Sequence, residues 1–587
     1  MEATCKDHMR PVLTQVESSA EPLQSIAGAQ ATSTSRAQPV PGIAPALGGA
    51  VSAAALVACG GGASGSAPAP GSLSPPPVSP TAAQAARFLH QAQFSASSAE
   101  IAALQSLGHS GWLEQQFNAP ASTSGWDWLV SRGYNDASFN NSVAPADYMV
   151  WNQLITAPDT LRKRLALAWS EIFVVSGNSM PIAARSFAMA AYWDTLCANA
   201  FSTYRQLLEA VTLNPAMGAY LNTRGNQKED AGTGRQPDEN YGREVMQLFS
   251  IGLYRLHANG TPSLDGAGQL VETYDQSSVS NIARAFTGWD FDSAGATANN
   301  PLQVRNPMRL IASRHSTQAA SFLGTSIAAG TDGTTALRLA LDTLAGHPNV
   351  APFIGRQLIQ RLVTSNPSSA YVGRVAAAFN DNGAGVRGDL KAVLRAVLLD
   401  AEALDAGNSN PSAWGKLREP IVRFTQWART FHAASASGDW KIGDLSSDAT
   451  RLGQSPLRAP SVFNFFRPGY VPPNTALAGA SLVAPEFQIT NESTVASYVN
   501  FMQSTIQSGF ADVQADYASE LALAADPQAL LDRLNLLLCA GRLGSDVLQT
   551  IRNAIGTIAV ASSAGQLSRV HASILLVMAS PQYIVQR

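Results

Sequence analysis

From about Thr81 onward, the apolar residues of this chain recur at helical spacing in one segment after another. Residues that are three or four apart share one face of an α-helix, so such a stripe predicts a helix that packs one side against a core. Strand signals are few. We therefore predict a mainly α fold, a large multi-helix and bundle-like globular body with a few short strands or a hairpin and long loops.

The same periodicity gives the bounds of the predicted helices. They cover residues 82–91, 96–107, 111–117, 148–156, 161–175, 182–198, 204–213, 216–221, 240–252, 335–344, 350–363, 370–380, 388–399, 411–431, 484–506, 517–539, 544–559 and 564–579. Residues 118–143 are rich in Pro, Ser, Gly and Asn, which predicts a loop. Residues 290–312 lack a period and are predicted to be irregular or to hold short strands.

Composition limits the classes of partner. The 587 residues, 45% of them hydrophobic, suffice for a large buried core in one domain or two lobes. Charged residues make up only 14%, and 39 Lys and Arg against 42 Asp and Glu give a net charge of −3. No basic tract occurs, which argues against a nucleic-acid partner.

The N-terminal part has the features of an export signal. Residues 43–58 are apolar and small, too short and too rich in Gly and Ala for a span of about 20 apolar residues, but suited to the apolar region of a signal peptide. They end in Leu56-Val57-Ala58-Cys59, which resembles a bacterial lipobox. The resemblance implies lipidation of Cys59, and the Gly that follows implies the outer membrane. A disordered Ala-rich leader is the alternative.

These features divide the chain into three predicted parts. Residues 1–58 form the leader, residues 59–80 a tether rich in Gly, Ser and Pro, and residues 81–587 the helical body. About 20 tether residues span roughly 25 Å as a coil. Residues 1–35 carry acids and no basic cluster, so we expect translation to start downstream of Met1. The predicted location is the bacterial cell envelope, with a lipid anchor as the membrane contact.

Two cysteines, Cys197 and Cys539, remain in the helical body. A disulfide between them is one prediction, because the leader indicates an oxidising compartment. Two buried thiols are the other, because free cysteine is among the most buried residue types.

The densest arrangement of polar residues lies at 237–289. Tyr241, Val245 and Leu248 form an apolar stripe on the first helix of this stretch. Its other face carries Asn240, Arg243, Glu244 and Gln247.

An Asn259-Gly260 pair predicts a hairpin turn, and Asp275 is a suitable N-cap for a second helix. That helix carries Asn281 and Arg284, which we expect to face Arg243 and Glu244. One interpretation is an Arg–carboxylate network that ties the helices together. The other is a binding or catalytic cleft.

Several segments, in order, resemble the bacterial family called domain of unknown function 1800. They are PDENYGREVMQLFSIGL with TYDQSSVSNIARAFTGWDF, His315 with FLG at 322–324, LAGHPNVAPFIGRQLIQRLV at 344–363, GKLREPIVRF at 415–424, LGQSPLRAPSVFNFFRPGY at 452–470, LVAPEFQI at 482–489 and ASPQYIVQR at 579–587. The resemblance covers roughly residues 81–587.

The family has no assigned function, so the resemblance implies little chemistry. It implies an exported bacterial protein, with a possible exported partner from the family called domain of unknown function 1501. Many members have His-Asp where this chain has His315-Ser316. This difference puts in doubt an acidic partner for His315.

Motifs for cofactors and metals are absent from the sequence. The histidines lack HxxxH or HExxH spacing, so no metal site is predicted. No GxSxG, GxGxxG or P-loop occurs, which leaves the cofactor unknown. If the chain is an enzyme, we predict Glu244, Asp275 and His315 as catalytic residues. The ligand-binding residues would then be Asn240, Arg243, Arg284 and Trp289.

A second feature is the Pro-rich and Gly-rich loop at 453–474, which carries Phe463, Phe465, Phe466 and Tyr470. Aromatic rings in such a loop usually fill a core or groove, because each buries a large apolar area. A platform on which a ligand stacks is the alternative.

Two alternative functions are compatible with these sequence features. The first is a non-catalytic accessory or scaffold that acts with another exported protein on envelope or extracellular material. The second is a hydrolase-like enzyme, with Glu244 as general acid or base and Arg243 and Arg284 binding an anionic group.

Overall fold

The computed structural model of the protein describes residues 79–405 and 412–587. The predicted leader and most of the tether, including Cys59, lie outside the described residues. Within them the chain is mainly α, as predicted, with twenty-three α-helices and eight short strands. None of the described helices combines the length and the apolar composition that crossing a bilayer requires.

The helices in the first part of the described chain are α1 (Ala82–Ala92), α2 (Ser98–Asn118), α3 (Gly125–Ser131), α4 (Ala144–Thr156), α5 (Thr160–Ser170), α6 (Arg185–Ala198), α7 (Tyr204–Thr212), α8 (Pro215–Tyr220), α9 (Asn240–Gln247), α10 (Gln276–Ala285), α11 (Gly333–Gly346) and α12 (Val350–Leu362). Those that follow are α13 (Ser369–Asn380), α14 (Leu390–Leu398), α15 (Ala401–Leu404), α16 (Pro420–Thr430), α17 (Ala476–Gly479), α18 (Glu492–Ser508), α19 (Ala518–Leu521), α20 (Pro527–Cys539), α21 (Ser545–Gly556), α22 (Ser563–Met578) and α23 (Pro581–Ile584).

The strands form four antiparallel pairs. The pairs are β1 (Trp289–Asp290) with β2 (Arg309–Leu310), β3 (Ala320–Phe322) with β4 (Thr325–Ile327), β5 (Lys416–Leu417) with β8 (Val585–Gln586), and β6 (Ala434–Ser435) with β7 (Val513–Gln514). The first pair agrees with the short strands predicted within 290–312.

Several predicted boundaries are wrong, and two of them show the physical reason. The loop predicted at 118–143 contains α3, whose first two N–H groups, those of Gly125 and Trp126, donate to the Asp194 carboxylate at 2.6 and 2.9 Å. The helix predicted at 411–431 begins only at Pro420, because Lys416 is extended and pairs with Gln586. Both differences arise from contacts between residues that are distant in sequence.

The buried apolar residues form one continuous cluster that runs from α1 to α23. Four tryptophans, Trp151, Trp169, Trp193 and Trp427, are completely buried in it. Each lies on one of four helices, α4, α5, α6 and α16. These helices position the side chains that are described below.

The two cysteines are free thiols, so the disulfide alternative is wrong for this structure. Cys197 lies on α6 and Cys539 on α20, and both are buried. Burial raises the pKa of each thiol to about 12. At neutral pH both cysteines are therefore uncharged, and they contribute to the core as small apolar groups.

Candidate functional site

The polar stretch at 237–289 folds as two packed helices, α9 and α10. A Cβ on Gly242 would lie 3.2 Å from Ile282 Cγ2, so glycine lets the two helices approach closely. The predicted turn is present: His257 N donates to Thr261 O at 2.8 Å, and Gly260 has a φ of 77°. Asp275 caps α10 by accepting a hydrogen bond from Ser278 N at 2.8 Å, as predicted.

The two arginines predicted to bind a ligand, Arg243 and Arg284, have hydrogen-bond partners other than Glu244. Arg243 donates to Glu239 Oε2 and to Gln276 Oε1, both at 3.2 Å. Arg284 donates to Asn281 Oδ1 at 2.6 Å and to Ala319 O at 3.1 Å. Glu239, next to the start of α9, contacts α10, because Gln276 Nε2 donates to its Oε2 at 2.8 Å and Ser280 Oγ donates to its Oε1 at 2.5 Å.

Glu244 is buried, and its Oε2 has no hydrogen-bond partner among the described residues. Burial raises the pKa of this carboxyl, and the charge of Arg243 opposes that shift. In contrast, hydrogen bonds from Ser278 lower the pKa of the exposed Asp275. The two carboxyls thus differ in environment: Glu244 is buried and its pKa is raised, whereas Asp275 is an exposed N-cap of α10 and its pKa is lowered.

His315 lies in a separate set of contacts. Its ring is buried, with Nδ1 3.1 Å from Thr287 O, and Ser316 Oγ donates to Glu229 Oε1 at 2.9 Å. Trp289 is buried in β1, and its indole N–H has no partner among the described residues.

Asn240 begins α9, and its N–H donates to Asp238 at 2.8 Å. No described hydrogen bond or ion pair joins Glu244 to Asp275 or His315. The catalytic and binding roles predicted for these residues stay predictions.

A cavity of about 430 Å³ lies beside this stretch and opens to solvent. The end of α9 contributes Gln247 and Leu248 to its wall, and the following ribbon contributes Leu253. The Pro-rich loop forms another part of the wall, to which it contributes Phe463 and Phe466. We call this space the aromatic cavity. The loop at 453–474, which carries the phenylalanines, is therefore part of the wall of a concave site.

Two guanidinium groups stack on the rings of this loop. The Arg361 guanidinium lies 5.0 Å from the centre of the Phe466 ring, and that of Arg467 lies 4.5 Å from the centre of the Phe463 ring. Phe466 is buried, whereas Phe463 is 37% exposed at the rim. Cation–π contacts of this kind hold both the cation and the ring in place.

The inner wall of the aromatic cavity belongs to a buried group of charges. We call it the buried ion cluster, and it consists of Arg164, Glu171, Arg361, Lys416, Glu419 and Glu486. Arg361 Nη1 binds Glu171 Oε2 at 2.7 Å. Arg164 and Lys416 both donate to Arg361 O, at 2.7 and 2.8 Å. Of the six, Glu171 and Arg361 also line the cavity.

Lys416 is the centre of the other half of the cluster. Its Nζ lies 3.0 Å from Glu486 Oε1 and 3.4 Å from Glu419 Oε1. Gln454 Nε2 donates to the other oxygen of Glu419 at 2.9 Å. Four segments that are far apart in sequence meet here: α5, α12, the turn from β5 into α16, and the 3-10 helix at Pro485–Ile489.

Glu171 and Glu419 lie within hydrogen-bonding reach of each other, and their pKa values shift in opposite directions. Burial, followed by the charge of Glu419, raises the pKa of Glu171. Burial opposes ionisation of Glu419 as well, but Lys416, the hydrogen bond with Glu171 and the two arginines outweigh it and lower its pKa. Of the two carboxyls, Glu171 therefore favours the protonated form and Glu419 the ionised form, so that a proton bound by the pair would be carried by Glu171 and shared with Glu419.

The sequence contained a signal for this cluster that periodicity alone did not reveal. Arg361, Lys416, Glu419 and Glu486 all lie in segments that carry the family resemblance. Charged residues on a helix usually indicate a solvated face, and so no chemistry was predicted for Arg164 beside Glu171. Their burial depends on packing between segments that are distant in sequence, which periodicity does not reveal.

The metal-ligating side chains of the described residues do not cluster as they do in a typical protein metal site. Residues 79–405 and 412–587 contain no group of three or more His, Cys, Asp or Glu side chains arranged to hold a metal ion. Each carboxylate of the buried ion cluster already faces a cation of the chain.

A comparison of the sequence with models of protein families shows which family the chain belongs to. The model described as "Protein of unknown function (DUF1800)" matches residues 87–585. The chain belongs to the DUF1800 family. No curated protein and no solved structure matches it. In this DUF1800 chain the match spans α9, α10, the aromatic cavity and all six residues of the buried ion cluster.

The shared proton predicts that the two carboxyls respond differently to the same substitution. Glu171→Gln keeps a donor toward Glu419 and an acceptor for Arg361, so we expect the free energy of unfolding to change by no more than about 1 kcal/mol. Glu419→Gln leaves buried cations without their anion, and we expect a loss of about 3–5 kcal/mol. Urea denaturation at pH 7 measures both.

The pH dependence gives a second readout. Because the folded state holds the Glu171 proton above about pH 4.3, where an unfolded glutamate releases it, the stability advantage of wild type over Glu171→Gln should shrink as pH rises. The control is Glu209→Gln, whose carboxylate is 48% exposed and pairs with Arg205, and which should cost less than about 1 kcal/mol. Equal losses in Glu171→Gln and Glu419→Gln would contradict proton sharing.

Proposed function

We propose that this DUF1800 protein is a lipid-anchored envelope protein of bacteria that serves as a non-catalytic accessory or scaffold for a second exported protein. In this proposal the aromatic cavity binds an apolar group of the envelope or extracellular material that the two proteins handle. The observation that carries the proposal is the cavity itself, a concave apolar site that opens to solvent.

The walls of the aromatic cavity suit an apolar ligand. Its volume of about 430 Å³ is in the range that is usual for small-molecule sites. Leu253, 46% exposed, and Phe463, 37% exposed, extend the apolar surface from the interior to the rim. Covering these side chains would remove apolar area from water, which favours binding at about 25 cal/mol per Å².

The anchor and the partner are supported by the sequence. Leu56-Val57-Ala58-Cys59 after an apolar run supports lipidation at Cys59, and the tether that follows supports a body held away from the membrane. Resemblance supports an exported partner of the family called domain of unknown function 1501.

Leu253→Asp tests binding in the aromatic cavity. A carboxylate at this position would be desolvated by an apolar ligand, so we expect at least about a tenfold loss in affinity, equal to about 1.4 kcal/mol, for a neutral solvatochromic dye. Fluorescence titration of the full chain carrying Cys59→Ser measures it without lipid or detergent.

Leu264→Asp is the matched control for that titration. Leu264 follows on the same ribbon, is 60% exposed and does not line the aromatic cavity. We expect it to bind the dye as wild type does. Equal affinities in Leu253→Asp and Leu264→Asp would place dye binding elsewhere and refute the proposed site.

Cys59→Ser tests the anchor. Without the thiol no lipid can be attached, so the variant should move from the membrane fraction to the water-soluble fraction and lose labelling by a fatty-acid analogue. Cell fractionation followed by blotting measures this, with Cys197→Ser as the control that keeps the label. Membrane association that survives Cys59→Ser would argue against a lipid anchor.

A hydrolase-like enzyme is the second candidate. It is favoured by the buried Glu244, whose Oε2 has no hydrogen-bond partner among the described residues and whose raised pKa suits a general acid. Asn240 and Arg243 lie on the same helix, α9.

Glu244→Gln separates the two candidates. If the protein is an enzyme, this variant should lose at least about a hundredfold in turnover of the cognate substrate at an unchanged melting temperature. If it is a binding protein, the variant should recover the same exported partner from solubilised envelope as wild type does. Loss of the partner without a change in melting temperature would assign the face of α9 to the interaction instead.

A further inference from the structure

We propose that the aromatic cavity selects small amphipathic ligands with a carboxylate head and an apolar body, such as a medium-chain fatty acid. The inference rests on the proposed binding function and names the class of ligand. Its basis is the set of charged and polar side chains that line the cavity.

The lining of the aromatic cavity carries excess positive charge. It has two cations, Arg361 and Arg467, against one carboxyl, Glu171, which already pairs with Arg361 at 2.7 Å. The charge of Arg467 is therefore left over at the rim. An anion that enters beside Arg467 would bring the lining closer to neutrality, whereas a cation would add to the excess.

Two side chains that line the cavity have hydrogen-bond donors that a carboxylate could accept from. Gln357 lines the cavity, and its Nε2 is buried with no hydrogen-bond partner among the described residues. Arg467 lines the cavity, is exposed, and has its guanidinium on the Phe463 ring without an ion pair to any described residue. A buried amide N–H that has no acceptor carries a cost of about 1–3 kcal/mol, which a carboxylate oxygen would remove.

The aromatic rings hold the cations at the two ends of the space. Arg361, whose side chain is only 6% exposed, is stacked on Phe466 at the inner end. Arg467 is stacked on Phe463 at the outer end. The apolar side chains of Leu248, Leu253 and Phe353 lie in the wall with them. A ligand with one anionic head and an apolar body matches this distribution.

Three ligands with the same chain and different heads test the charge preference. Octanoate, 1-octanol and octylammonium compete with the neutral dye for the full chain carrying Cys59→Ser, at pH 7 and low ionic strength. We expect octanoate to displace the dye at a concentration at least about tenfold below that of octylammonium, with 1-octanol in between.

Arg467→Gln shows where the head binds. It should weaken octanoate at least threefold and leave 1-octanol unchanged. Arg451→Gln is the matched control, because the Arg451 guanidinium is stacked 5.0 Å from the Phe510 ring centre and does not line the cavity. It should bind all three ligands as wild type does.

The outcomes separate this inference from the proposed function. If the dye does not bind, or none of the three ligands displaces it, the proposed function fails and this inference with it. If all three displace it equally, or octylammonium is the strongest, apolar binding stands and the carboxylate preference is refuted. An octanoate preference that Arg467→Gln leaves intact would overturn the role of the rim arginine.

Discussion

The buried ion cluster is the interaction on which the rest of the structure depends. Three cations and three carboxyls lie in the interior, where removing one partner costs about 3–5 kcal/mol because it leaves an uncompensated charge. Such a group is not by itself an efficient source of stability, since taking each ion out of water is costly. The cluster restricts how the helices can be arranged. Its charged side chains are all paired only when four segments meet, namely α5, α12, the start of α16 and the 3-10 helix at Pro485–Ile489.

The aromatic cavity is a consequence of that arrangement. Arg361 binds Glu171 on one side and stacks on Phe466 on the other, so the loop that carries the phenylalanines is positioned by the same side chain that closes the cluster. Gln360 reinforces this, because its Nε2 donates to Pro468 O at 3.2 Å. A molecule in the cavity would therefore contact Arg361 and Glu171, the two residues of the buried ion cluster that line it.

Much of the fold could be predicted from local pattern, because apolar periodicity and capping residues act over a few positions. The start of α10 after Asp275 is an example. The two boundaries discussed above were predicted wrongly because they depend on residues that are distant in sequence. The start of α3 is bonded to Asp194, and β5 pairs with β8. The same holds for the site. The stretch at 237–289 does contribute Gln247, Leu248 and Leu253 to the cavity, but a charged residue on a helix looks solvated until the packing around it is known.

The pairing of β5 with β8 sets an order of assembly. Lys416 is held in an extended segment by Gln586, whose side-chain amide also donates to Leu362 O at 2.7 Å, next to Arg361. At the other end of the chain, Arg87 Nε donates to Arg587 O at 2.9 Å. The charges of α5 and α12 can all be matched only after Glu486 has been synthesised, and Lys416 gains its paired strand only with Gln586. Closure of the buried ion cluster therefore depends on contacts of large sequence separation, which form late because the entropy of closing long loops must be overcome first.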